Sequence, residues 1–350
     1  MIIVAAAFAL SFITVYLICR LSHRKAWYDK VDDRKIHTGD VPRLGGPGFA
    51  MAFILAALAV FRIRAELHFD ARLIPAFFGM FITLVFGVID DFRPLAPRSK
   101  LLSQIIAALL VVIPGYTFQD LLFFGDGFYT FGWLKAPLSV LWIVGLANAM
   151  NFIDGVDGLA GGLSALIALS YAVFFSSAAA ADLSVCLAAC IGGFLVFNLP
   201  IPKAKIFMGD GGSQFLGFTL AALPLLDGKS SLSGLPVFCA AALFLIPILD
   251  MLAAVWRRLR DGRRIDSPDK MHIHHKLINL GLNPWSLNCA LWALQIVLLI
   301  FVFFTLRFIS RPVVFLVLLV SAYLAAAVFF TAIHYSNKAK TAKPQNGSTP

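Results

Sequence analysis

The sequence predicts an all-α, polytopic integral membrane protein, and three observations carry that prediction. Of 350 residues, 60% are hydrophobic and only 14% are charged, with a mean hydropathy of +0.85. A soluble domain would be about a quarter charged. Runs such as SVLWIVGLANAM, GGLSALIALSYAVFFSSAAAA and LNCALWALQIVLLIFVFFTL supply most or all of the roughly 20 residues that a membrane helix needs. Apolar and polar residues do not alternate within these runs, which argues against a closed β-barrel.

Taken in order, the apolar segments give about eleven spans, near 2–20, 46–62, 72–89, 101–116, 136–150, 161–181, 184–200, 213–227, 235–256, 286–306 and 312–333. The first lacks a basic start and a convincing small-residue cleavage site, so it reads as a retained helix and not a signal peptide. The fourth, fifth and eighth are short or marked by Gly and Pro. The chain divides into a transmembrane domain, 1–335, and a basic tail, 336–350, whose sequence SNKAKTAKPQNGSTP is expected to be disordered. Cys19, Cys186, Cys190, Cys239 and Cys289 lie in or beside apolar segments with no CxxC pair, which suits packing better than a disulfide framework or a zinc site.

Alternate loops differ in charge. The set 20–45, 90–100, 151–160, 201–212, 257–285 and the tail holds 22 of the 29 Lys and Arg residues. Positive charge marks the cytoplasmic face, so the N-terminus is expected outside and the C-terminus inside. The bland reading of the +10 formal charge is topology and attraction to anionic lipid. Nucleic acid is not among the expected partners.

Five polar clusters fall on that same face: KIHTGDVPRLGG (35–46), FGVIDDFRP (86–94), NAMNFIDGVDGLAGG (148–162), KIFMGDGGSQFLG (205–217) and DSPDKMHIHHKL (266–277). The opposite loops hold nothing comparable; FGDGFYTFGW (124–133) reads as an aromatic interfacial belt. Each cluster also has a structural reading. Asp90 and Asp91 could end a helix with Arg93 as local partner, yet adjacent like charges at a membrane boundary are costly, and a divalent cation relieves them. Asp154 and Asp157 share a face if their stretch is helical; otherwise D-G-x-D-G is an ordinary turn. Asp210 could belong to a capping turn in which Ser213 caps the next helix. His272, His274 and His275, near Arg263, Arg264, Lys270 and Lys276, look more like a phosphate clamp than a zinc site, because no Cys partner or HExxH spacing accompanies them. Asp250 reads as a structural polar group.

Carboxylates suit Mg²⁺, a hard cation that takes oxygen ligands and substrate phosphates. Glycines and cations suit polyphosphate, and the spans suit a lipid. The combination points to phosphoryl transfer between a soluble nucleotide compound and a lipid, chemistry that rests on positioning and charge neutralisation.

With these residues in hand, the chain resembles the polyprenyl-phosphate N-acetylhexosamine-1-phosphate transferases, most closely the bacterial undecaprenyl-phosphate N-acetylglucosamine-1-phosphate transferases. All five clusters stand in the family order, and NxxNFxDGxDGLAGG together with FMGDxGS is highly specific. The resemblance implies a Mg²⁺-dependent enzyme (Mn²⁺ being the other candidate ion) with its active site at the cytoplasmic face of the bacterial inner membrane. It implies UDP-N-acetylglucosamine and undecaprenyl phosphate as substrates, and undecaprenyl-pyrophosphoryl-N-acetylglucosamine and UMP as products. It also implies a place at the first committed step of a surface glycan such as O-antigen, enterobacterial common antigen or teichoic-acid linkage, and a homodimer.

By the same resemblance, Asp90 and Asp91 lie at the polyprenyl phosphate as general base and metal contact, and Asp210 is the acidic metal ligand. Asn151, Asp154, Gly155 and Asp157 form the uridine-side loop, Phe207 stacks near the uracil, and Lys35 lies beside the nucleotide. His272, His274 and His275, with Arg264, contact phosphate and sugar. HIHH differs from the triple histidine of the muramyl-pentapeptide branch and favours a small UDP-sugar. Direct attack by the lipid phosphate and a double displacement through an aspartyl intermediate both remain open, as does another UDP-N-acetylhexosamine. A transporter is the competing class; it would place binding residues near the bilayer midplane.

Overall fold

The computed structural model describes residues 2–28, 41–63, 73–118, 121–122, 128–129, 131–175, 177–227, 235–267, 269, 271–308 and 312–342. The first eight apolar runs correspond to α1 (Ile2–Lys25), α2 (Gly45–Ile63), α3 (Leu73–Phe92), α4 (Pro97–Val112), α5 (Lys135–Ile153), α6 (Leu159–Phe174), α7 (Ala178–Asn198) and α8 (Gly209–Leu226). The ninth is divided at Phe244 into α9 (Leu235–Leu243) and α10 (Leu245–Arg260). A short α11 (Ile273–Asn279) precedes α12 (Pro284–Phe308) and α13 (Pro312–Ala342). The last helix thus continues to Ala342, beyond the point where the tail was expected to begin. The only strand pairing among the described residues joins β1 (Leu121–Leu122) to β2 (Phe128–Tyr129), with Leu121 opposite Tyr129; half of the expected aromatic belt lies outside them.

Seven of these helices are long and apolar enough to cross a membrane: α1, α2, α3, α5, α7, α12 and α13. α6 is apolar but shorter. The fold is that of a polytopic helical membrane protein.

α8 is the centre of the bundle. Every residue from Gly211 to Leu225 is buried, and α2, α3, α5, α6, α7 and α9 pack around it. Glycines permit the closest approaches. A Cβ on Gly46 would run into the backbone of Gly212, and one on Gly87 into that of Gly211, so α2 and α3 meet the first turn of α8 nearly backbone to backbone.

Two prolines inside the bundle leave carbonyls without a helical donor, and neighbouring side chains supply one. Pro224 frees the Leu220 carbonyl, which accepts from the Tyr171 hydroxyl at 3.0 Å. Pro247 frees the Leu243 carbonyl at the α9–α10 break, which accepts from Gln295 Nε2 at 3.0 Å. Pro97 instead opens α4, where no N–H is needed.

Candidate active site

α3 ends on the two adjacent acids. Asp90 accepts from the Leu95 N–H at 2.7 Å and pairs with the Lys100 ammonium. The Asp91 side chain, 1% exposed, accepts from the N–H groups of Asp210 at 2.8 Å and Gly211 at 3.1 Å. It therefore caps the N-terminus of α8 across the bundle, where unpaired N–H groups favour an anion. Gly209 makes the turn into that helix at φ +77°, and a Cβ there would strike the Arg43 carbonyl and the Asp91 carboxylate. Lys100 Nζ also lies 2.9 Å from Asp210 Oδ2, and the Arg43 guanidinium lies 3.4 Å from Asp91 and 3.6 Å from Asp210. The cations that meet these acids thus come from α4 and from the segment before α2, not from the adjacent Arg93.

The stretch holding Asp154 and Asp157 is not helical. α5 stops at Ile153, Asp154 takes φ −77° and ψ 52°, and Gly158 opens α6 at φ +82°. The Gly158 N–H donates to Asn198 Oδ1 at 2.8 Å, which ties the turn to the end of α7. Asn151 Nδ2 donates to Ser213 Oγ at 3.0 Å. Ser213 lies inside α8 and does not cap it, because the helix already begins at Gly209. Burial, reinforced by Asp210, Asp157 and Asp91, holds the Asp154 carboxyl well above the usual carboxylate range. Burial also pushes Asp157 up to about 6, against the opposing charge of Lys203.

The histidines are set by Asp250. One of its oxygens lies 2.7 Å from His272 Nδ1, and the other accepts the Ile273 N–H at 2.7 Å, which caps α11. The His272 ring is parallel to that of His274 at 5.7 Å. His274 lies against the acidic turn, where a Cβ on Gly155 would overlap its ring. Burial and the neighbouring His275 lower its pKa to about 3, which disfavours the charged form there. Arg264 does not join this group: its exposed side chain forks onto Asp266 at 2.9 and 2.7 Å.

These parts surround a cavity of about 400 Å³. Of the residues expected from the sequence, Asn151, Asp154, Gly155, Asp157, Phe207, Asp210, His274 and His275 line it. Asp90 and Asp91 stand beside Asp210, reached through Lys100 and Arg43. His272 faces Asp250 and is not part of the lining, and Lys35 lies outside the described residues. Sequence reasoning passed over Arg43 and Lys203, which also line the cavity, and Lys100. Lys100 and Lys203 were counted only as loop charge, and Arg43 lay within the cluster KIHTGDVPRLGG without being singled out. Asp250 was noted, but its hold on His272 and Ile273 spans more than 20 residues.

Among the described residues no three His, Cys, Asp or Glu side chains form a metal cage. Asp91 and Asp210 instead offer an all-oxygen pair beside an open cavity. That donor set fits Mg²⁺, which takes one or two carboxylates and is completed by water and substrate phosphates.

Fold and site together define a helical membrane protein with a cavity at the helix ends lined by carboxylates, cations and histidines. The model of glycosyl transferase family 4 matches residues 73–227. The chain is 35% identical over 294 residues to the Bacillus subtilis protein named "Probable undecaprenyl-phosphate N-acetylglucosaminyl 1-phosphate transferase", covering 81% of this chain and 79% of that protein. It is 31% identical over 284 residues to the undecaprenyl-phosphate alpha-N-acetylglucosaminyl 1-phosphate transferase of Haemophilus influenzae, covering 78% and 77%. It is 34% identical over 281 residues to the decaprenyl-phosphate N-acetylglucosaminephosphotransferase of Mycobacterium tuberculosis, covering 71% and 68%. The chain belongs to glycosyl transferase family 4, among its polyprenyl-phosphate N-acetylhexosamine-1-phosphate transferases.

Proposed function

We infer that the protein transfers N-acetylglucosamine 1-phosphate from UDP-N-acetylglucosamine to undecaprenyl phosphate, releasing UMP. The observation that carries this reading is the meeting of Asp90, Asp91 and Asp210 with Lys100 and Arg43 at the edge of the cavity. That set can receive two phosphate-bearing substrates at once. The acids stand at helix ends, as an enzyme of soluble and lipid substrates requires, and not at mid-helix as in a transporter.

A phosphate oxygen of the lipid attacks the β-phosphorus of the donor. The bond to the α-phosphate breaks, and UMP leaves with that electron pair. Asp90 takes up the proton if the lipid phosphate arrives protonated. Lys100 and Arg43 hold phosphate oxygens in line, and Phe207 lies against the uracil. Asn151, Asp154, Gly155 and Asp157 bound the nucleotide, with Lys35 beside it, and His274 and His275 meet the sugar and its phosphate. His272 orients His274. Asp91 and Asp210 would hold Mg²⁺, or Mn²⁺ in its place, which when bound neutralises charge on the pyrophosphate and the departing UMP. In this reading all eleven runs cross the inner membrane, α9 and α10 forming one interrupted crossing, with the N-terminus outside and the C-terminus and the site at the cytoplasmic face.

The test uses purified protein in detergent with undecaprenyl phosphate and UDP-N-acetylglucosamine, with and without Mg²⁺, scoring UMP and lipid product. Formation of both only with Mg²⁺ is expected. Turnover only with a different UDP-N-acetylhexosamine would change the sugar, and folded protein inactive with all of them would overturn the reading. UDP-sugar hydrolysed to UMP without the lipid would instead favour a double displacement.

A further inference from the structure

Three amide side chains meet in the bundle interior, one helical turn inward from the site. Gln104 Nε2 on α4 donates to Gln214 Oε1 on α8 at 2.9 Å. Asn148 Nδ2 on α5 donates to Gln104 Oε1 at 2.7 Å and to the Val144 carbonyl at 2.8 Å. Gln104 and Gln214 are buried. Each member is one turn from a residue of the site: Gln104 follows Lys100 by four, Gln214 follows Asp210 by four, and Asn148 precedes Asn151 by three. Residues so spaced share a helix face.

Apolar contacts in a membrane bundle let helices slide or rotate at small cost, whereas directed hydrogen bonds fix their register. Here the register that matters is α4 against α8. Lys100 must reach Asp90 and Asp210 together, and it does so from the first turn of a helix that otherwise meets its neighbours through residues such as Ala107 and Ala108.

We propose that Gln104, bridging Asn148 and Gln214, is a positioning residue that holds the Lys100 ammonium between Asp90 and Asp210. This rests on the transferase reading of the site. Gln104 touches no substrate; it acts through the placement of α4.

The experiment compares wild type with Gln104→Met, Gln214→Met and the double variant, measuring kcat and KM for UDP-N-acetylglucosamine by UMP release, and Tm. For Gln104→Met, kcat should fall about 10- to 100-fold, the range for a small misplacement of a reacting group, with KM within about two-fold. The double variant should lose no more than the worse single variant, because one unit has been broken once. Asn148→Ala, at the half-buried corner of the trio, reads the same quantity if Gln104→Met is not recovered folded. Unchanged kcat would overturn the proposal, and so would losses that multiply and track a falling Tm with KM moving alongside. An inactive wild type would instead count against the transferase reading itself.

Discussion

At one edge of the cavity, Asp90, Asp91 and Asp210 are bonded by an ammonium, a guanidinium and the backbone N–H groups of Leu95, Asp210 and Gly211. Along another part of the cavity wall, Asp154 and Asp157 occupy the turn between α5 and α6. The first group is held in place by directed contacts, which suits reacting atoms that must not move. The second is set by the turn itself and, at Asp157, by the opposing charge of Lys203. The two groups thus differ in what their carboxyls touch: helix N–H groups and cations in one, a loop turn in the other.

The sharpest way to break this comparison is Asp90→Asn. Loss of a general base should lower kcat about 100- to 10,000-fold, with little change in UDP-N-acetylglucosamine affinity by calorimetry; near-normal turnover would remove Asp90 from the chemistry. The two glycines come next. Gly209→Ala adds a left-handed backbone cost of about 1–2 kcal/mol and drives a Cβ into a backbone carbonyl and Asp91, so turnover should fall more than about tenfold and Tm should drop. Gly155→Ala meets the His274 side-chain ring first. An overpacking cost of about 1–3 kcal/mol is expected there, appearing as raised KM for the donor with kcat less affected.

A smaller effect depends on pH. The Asp157 carboxyl titrates at about 6 in the folded protein against the usual 3.8. Between those values the folded chain keeps a proton that the unfolded chain releases, so this group's contribution to stability is full below about pH 4 and declines as pH rises through about 6. Tm of the ligand-free protein should show that decline, and Asp157→Asn should flatten it. Donor affinity should weaken over the same rise. The smallest effect is expected for Arg264→Ala, which removes an exposed pair with Asp266; kcat/KM should stay within about two-fold, since such pairs contribute little.

Much of the site was legible because its parts are short, chemically distinctive words. DD is a bare acid pair, while NFIDGVDG and FMGDGGS combine acid with glycine or amide; all three stand at helix ends, so their convergence could be read from span order and loop charge. The partners of those acids were not legible. Lys100 looks like any basic residue of a loop, and Arg43 like any residue of a Gly-Pro segment. Only the packing of α3, α4 and α8 makes them counter-charges. HIHH was legible as a cluster but not in its division of labour: His272 turns toward Asp250 while His274 and His275 face the cavity. Arg264, adjacent in sequence to plausible phosphate ligands, lies apart because a fork onto Asp266 needs only local chain.

By itself the sequence determined the class of protein, the helical segments and the one-sided gathering of acids, because hydropathy and loop charge act through the bilayer and require no long-range contact. Tertiary structure decided where α9 gives way to α10, which cations meet which carboxylates, how far each acid is buried and which amides hold the helices in register. Those outcomes depend on distances between residues far apart in the chain and on how much water each group loses, and neither quantity exists until the helices have packed.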